Sequence, residues 1–203
     1  MNQELITVQT VDTLFRETKF KFLTKEILLA VLSQESNLNP YFSRTDKQYI
    51  SNMRVATRTT GFTEKQILEF VILPNGKIAK FRLEPGYYVK NPPGATPRNR
   101  FFYSISTGVG QCMSMNLLPA KSPIGAYEKV VKEFMGDLPA QVKKAATMLE
   151  SLMRAAYNEP RIKVKSLKTL AAYAFRGYNG GSILTTNKDA IRYSNEVLKK
   201  LYG

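Results

Sequence analysis

The chain has 203 residues, 43% of them hydrophobic, which suits one domain of ordinary size and allows a core that needs no covalent staples. It has no histidine and one cysteine, Cys112, which removes Ser-His-Asp triads, Cys-His pairs, intramolecular disulfides and nearly every zinc site. Its formal charge of +14 draws polyanions, whether nucleic acid, an anionic membrane or the acidic polymers of a bacterial wall.

The opening stretch MNQELITVQTVD has neither a basic leader nor a long apolar run, so no secretory signal peptide is expected there. No window of the chain reaches transmembrane length. Thr24 reads as the N-cap of a helix over residues 25–35. Leu28, Val31 and Leu32 form its apolar stripe, and Glu35, four residues after Val31, continues that stripe at the C-terminal end. Asn37, Asn39 and Pro40 then stop the helix.

Residues from about 43 to 100 differ in character and read as an insertion. Within it, 66–83 predicts a β-hairpin, with apolar runs at 67–73 and 78–83 joined through Asn75-Gly76. Glu84-Pro85-Gly86 ends the second strand, and the prolines of 91–97 make a loop. Helical patterning returns at Ser122-Pro123, an N-cap followed by proline, with Ile124, Tyr127, Val131 and Phe134 on one face. A second helix after Pro139 carries Val142, Ala145, Ala146, Leu149, Leu152, Met153 and Ala156. A third starts at Ser166, carries Leu167, Leu170, Ala171, Ala174, Phe175 and Tyr178, and stops at Asn179-Gly180-Gly181. A last helix from about Lys188 carries Ile191, Val197, Leu198 and Leu201. The expected fold is α+β and mainly α-helical, one domain over 1–203 with a small β-hairpin insertion.

Glu35 is the first candidate for chemistry. A carboxylate on an apolar stripe loses hydration when ionised, so burial favours the protonated form that a general acid needs. Spacing alone leaves a second reading open, in which Glu35 marks the solvated edge of an amphipathic helix.

The segment 29–40, with Glu35-Ser36 followed by Asn37-Leu38-Asn39-Pro40, resembles the Glu-Ser motif of soluble lytic transglycosylases and their goose-type lysozyme relatives. Ser106-Thr107-Gly108-Val109-Gly110-Gln111 is similar to that family's Gly-Leu-Met-Gln stretch. Residues 171–181, ending Gly177-Tyr178-Asn179-Gly180-Gly181, resemble its Ala-Tyr-Asn-Gly-Gly motif, and Tyr193 to Leu198 its closing Tyr-x-x-x-Val-Leu. Glu84-Pro85-Gly86-Tyr87-Tyr88 is similar to an element that some members carry before Gly-Leu-Met-Gln. Each motif alone is weak, and the signal lies in their order. The resemblance covers roughly 24–42 and 84–202. It departs at Gly110, where the family has Met, at Thr107, where many members have Ala or Trp, and at Gly177, where they have Ala.

The resemblance implies a lysozyme-like helical domain that cleaves the bond between N-acetylmuramic acid and N-acetylglucosamine, with Glu35 as both acid and base. It implies that Tyr178 holds the Glu35 carboxyl, that Asn179 shapes the turn beside it, and that Gln111 and the backbone of Gly108 to Gly110 line a glycan groove. Ser36 would fix the helix end beside the substrate site, and Ser106 would contact a sugar acetamide. By their own chemistry these residues also have plainer readings: Gln111 an exposed loop amide, Tyr178 a core side chain, Asn179-Gly180-Gly181 a helix stop. A second carboxylate would convert the lyase into a hydrolase. The candidates are Asp46, Glu64, Glu69 and, beside its Pro-Gly bend, Glu84. The expected partner is peptidoglycan, with no cofactor, no metal and no membrane span. The expected setting is the bacterial wall, reached from the periplasm or outside, with a bacteriophage lysis or virion protein as one route.

The rival class is a nucleic-acid-binding module, supported by the charge, by the run Arg161-Ile162-Lys163-Val164-Lys165 with Lys168, and by Phe101-Phe102-Tyr103 near Arg98 and Arg100. Against it, the basic residues are spread along the chain and no known nucleic-acid motif is present. Binding to nucleic acid is therefore not expected.

Overall fold

A computed structural model describes residues 3–40, 43–45, 102, 105–119 and 122–203. The predicted hairpin at 66–83 and the loop at 91–97 lie outside the described residues. Those that are described are mostly helical with a small sheet, a mainly α form of α+β. The helices are α1 (Gln3–Glu17), α2 (Lys25–Ser36), α3 (Tyr127–Gly136), α4 (Leu138–Asn158), α5 (Leu167–Gly180) and α6 (Lys188–Tyr202). The strands are β1 (Ser43–Thr45), β2 (Ile105–Thr107) and β3 (Cys112–Met113). Among the described residues no helix is long and apolar enough to cross a membrane. The chain groups into two compact units, one of Met1–Leu38 with Val142–Gly203, the other of Asn39–Gln141.

In the first unit, α1 fills a stretch for which the sequence pattern predicted no element. Ile6, Thr7, Val8, Thr10 and Val11 are β-branched and disfavour helix, so local propensity conceals it. Thr10 and Thr13 turn their hydroxyls back onto the carbonyls of Ile6 and Gln9, at 2.8 and 3.0 Å, which satisfies them within the helix. Thr7 and Val11, one turn apart, are both fully buried. The Thr7 hydroxyl donates to the Leu38 carbonyl at 3.0 Å and so ties α1 to the end of α2.

Helix α2 begins as predicted: the Thr24 hydroxyl accepts from the Ile27 N–H at 3.4 Å. Backbone N–H donation and the Thr24 hydroxyl hold the Glu26 carboxyl in the first turn below the usual range, as a free helix N-terminus should. The stop is sharper than the prediction. Asn37 and Leu38 both enter the left-handed region, at φ 53° and 60°, and the Leu38 N–H returns to the Leu32 carbonyl six residues back. A leucine there is strained, and its 8% exposure and the Thr7 bond to its carbonyl hold it in place.

Glu150, on α4, does structural work that the sequence pattern did not reveal. Its carboxylate accepts the backbone N–H groups of Lys21, Phe22 and Leu23 at 3.3, 3.1 and 3.0 Å, and pairs with Arg154 at 3.2 Å. It thereby carries the three consecutive donors of the link between α1 and α2.

Helix α4 opens on Asp137, whose carboxylate accepts the Ala140 N–H at 2.9 Å. Its predicted stripe is buried except for Leu152, which is half-buried. Helix α5 starts on the Ser166 cap and ends at Gly181, φ 74°, as predicted, while Leu167 is exposed. Helix α6 starts at Lys188 under an Asn187 cap, but its buried face is Ala190, Tyr193, Ser194 and Val197. The predicted Ile191, Leu198 and Leu201 are only half-buried. Close approach decides that face: a Cβ on Gly180 of α5 would lie 2.8 Å from the Ala190 Cβ, and Ser194 donates to the Ala172 carbonyl at 2.8 Å. Small residues, rather than the most apolar ones, let α5 and α6 meet. Helix α2 packs on α6 as well, and α1 on α2.

In the second unit β1, β2 and β3 form one antiparallel sheet in that order, with Ser106 opposite Arg44 and Met113. The predicted helix at Ser122-Pro123 opens as a 3-10 turn over Ile124–Ala126, and α3 buries Tyr127, Val131 and Met135 where the pattern had placed Phe134.

Replacing Glu150 by Ala strands three backbone donors and should lower unfolding free energy by about 3 kcal/mol in a urea titration; an unchanged midpoint would mean that water replaces the carboxylate. Gly180→Ala, which in an open helix would stabilise by up to about 1 kcal/mol, should here destabilise by roughly 1–3 kcal/mol in the same titration.

Candidate active site

Glu35 sits in the last turn of α2, one turn beyond Val31 and Leu32, and only 6% of it is exposed. The stripe that buries Leu28, Val31 and Leu32 therefore continues through the carboxylate, so Glu35 is no solvated edge. At the close of that helix the Asn37 N–H donates to the Ser33 carbonyl and the Leu38 N–H to the Leu32 carbonyl, so the turn that carries Glu35 is a capped one.

Ser36 is 7% exposed and its hydroxyl donates to the Leu32 carbonyl at 3.2 Å, so that group serves the helix end. Gln34 reaches the other way, donating to the Glu196 carboxylate of α6 at 3.0 Å. Tyr178 is half-buried and Asn179 exposed at the end of α5. Glu35, Ser36, Tyr178 and Asn179 thus belong to one compact unit, on two helices that both pack against α6.

Ser106, Gly108 and Gln111 belong to the other unit, on the β2–β3 hairpin. Gln111 is 6% exposed rather than a solvated loop amide, and takes the left-handed conformation at φ 47°. Its N–H and its side-chain amide both donate to the Gly108 carbonyl, at 3.0 and 2.9 Å. The Ser106 hydroxyl donates to the Met113 sulfur at 2.9 Å, and the Thr107 hydroxyl to that of Met135. Gln141, fully buried, clamps the turn. Its carbonyl oxygen accepts the Val109 N–H at 2.8 Å, and its amide nitrogen donates to the carbonyls of Phe134 and Met135 at 2.9 and 3.2 Å. Gly108 is required twice over: its φ is +79°, and a Cβ would fall 2.7 Å from the Gln141 oxygen.

The sequence reading missed Gln141 and Glu150, although both carry the sign that singled out Glu35, a polar residue on an apolar stripe. Gln141 precedes Ala145 and Leu149 at intervals of four, and Glu150 follows Ala146 by four. Glu84, Asp46, Glu64 and Glu69 lie outside the described residues. Among the described residues no group of three His, Cys, Asp or Glu side chains could hold a metal ion. No protein-family model, curated protein or solved structure matches this chain.

Gln141→Ala should cost about 2–3 kcal/mol by freeing three backbone groups, those of Val109 and Met135 buried. Hydrogen exchange read by mass spectrometry should show the amides of 109–111 exchanging faster, and a turn that stays equally protected would assign its order to the strands alone.

Proposed function

We propose that this protein is a peptidoglycan lytic transglycosylase, with Glu35 as its one acid and base. The observation that carries the reading is a carboxylate 6% exposed in the last turn of its helix, inside a Glu-Ser motif that three further motifs of the same family follow in order. The absence of histidine from the chain leaves carboxylate chemistry as the natural route for proton transfer. In this reading the described helices form the body of a lysozyme-like domain.

The reaction follows from one proton. Protonated Glu35 gives it to the oxygen between N-acetylmuramic acid and N-acetylglucosamine, and the C1–O bond breaks with its electron pair leaving on that oxygen. The muramic C6 hydroxyl then attacks C1, and the Glu35 carboxylate takes its proton. A 1,6-anhydro sugar forms, no water is consumed and Glu35 ends protonated, ready for another cycle. Most glycosidases need two carboxylates because a water or a covalent adduct must be handled separately; an internal nucleophile removes that need. The same resemblance assigns support of the acid to Tyr178 and Asn179 and sugar contacts to Ser106, Gly108 and Gln111. A wall rich in anionic polymers suits the chain's +14 charge.

Glu35→Gln keeps the shape and removes the proton, so the rate of clearing purified peptidoglycan should fall at least roughly 100-fold. A buried group kept for chemistry rather than stability should leave the unfolding midpoint unchanged or raised. Retained clearing would remove Glu35 from the reaction, and a loss of stability like that of Glu150→Ala would make it structural.

A further inference from the structure

The basic run near residues 161–168, which the proposed reaction leaves without a use, lies on an exposed strip of the first unit. Lys163, Lys165 and Lys168 are exposed there, and between them stand two aliphatic side chains, Val164 62% and Leu167 42% exposed. Tyr157 and Tyr202 are 43% and 48% exposed. The ammonium of Lys165 sits 6.0 Å from the Tyr157 ring centre and that of Lys168 5.0 Å from the Tyr202 ring centre, so the tyrosines and the run are continuous. Lys21 extends the strip, 5.2 and 5.3 Å from the centres of Phe22 and Tyr157, whose rings lie 5.0 Å apart.

We propose that this strip docks the protein on an anionic lipid bilayer, with Val164 and Leu167 entering the headgroup–acyl boundary. Aliphatic tips set among lysines, with tyrosines beside them, match the layers of that boundary: acyl chain, headgroup and anionic surface. Charge complementarity favours such a surface for a chain of +14. Single-stranded nucleic acid fits the strip less well, because it stacks bases on open aromatic faces. Here Lys21, Lys165 and Lys168 already lie over ring faces, and Val164, the most exposed large apolar side chain among the described residues, offers no ring. Arg161 adds little to the attraction, since Glu159 binds its guanidinium at 2.6 and 3.0 Å. The inference stands apart from the proposed reaction and needs no catalysis to be tested.

The experiment is co-sedimentation of the full chain with vesicles of phosphatidylcholine and phosphatidylglycerol, beside vesicles of phosphatidylcholine alone. Binding to the anionic vesicles only, falling with added salt, is the expected result. Lys163→Ala with Lys168→Ala should weaken it roughly fivefold per lysine. Val164→Ser with Leu167→Ser keeps the charge and should weaken it roughly tenfold or more. Lys165 is left intact, because its ammonium donates to the carbonyls of Ala156 and Glu159 at 3.0 and 2.8 Å and holds the loop. No binding to anionic vesicles overturns the proposal, as does binding indifferent to the serine pair. Displacement from the vesicles by a single-stranded oligonucleotide whose own binding ignores the serine pair would assign the strip to nucleic acid instead.

Discussion

A buried carboxylic side chain in the last turn of a helix needs a fixed setting, and the first unit supplies one around Glu35. Glu35 is 6% exposed in the turn that closes α2, and the helix around it is tied down from several sides. The position persists because α2 is fixed at both ends. Thr24 caps its start, and the left-handed pair Asn37-Leu38 closes its end. The Thr7 hydroxyl of α1 reaches that closing turn, and Gln34 joins the same stretch of helix to α6. These contacts fix the helix turn that carries Glu35.

The two buried glutamates of this unit show how setting decides use. Glu150 lies mid-helix on α4 and meets three backbone N–H groups and an arginine. It acts as a structural tie, and the link between α1 and α2 is built on it. Glu35 lies instead in the closing turn of α2. One residue type thus serves as a tie in one place and, in the proposed reaction, as the proton donor in the other. Gln141 plays the tying part in the second unit, where its amide supplies an acceptor to the hairpin turn and donors to the end of α3.

Much of this architecture was legible in the residue order. Thr24, Ser166 and the glycine at 181 carry their signal in their own side chains or lack of one, and the ends of α2 and α5 stand where that chemistry puts them. The stripe of α4 was readable for the same local reason. Helix α1 was not, because its β-branched residues argue against helix and only burial of Thr7 and Val11 overrides them. The buried face of α6 departs from its most apolar stripe because Gly180 and Ala190 meet through smallness, which apolarity does not register. Glu35 stood out on its stripe, yet stripe position alone does not separate an acid from a tie, as Glu150 shows. The assignment of chemistry rests on the motif order, which periodicity cannot supply.

The central claim is that one carboxylate cleaves the glycan without water, and the ends of the product strands report it directly. Purified peptidoglycan digested by this protein should yield 1,6-anhydromuramic ends by mass spectrometry, and Glu35→Gln should yield none. Reducing ends would contradict the account, since they would mean that water attacks C1 and that a second carboxylate, with Glu84 the first to examine, shares the work.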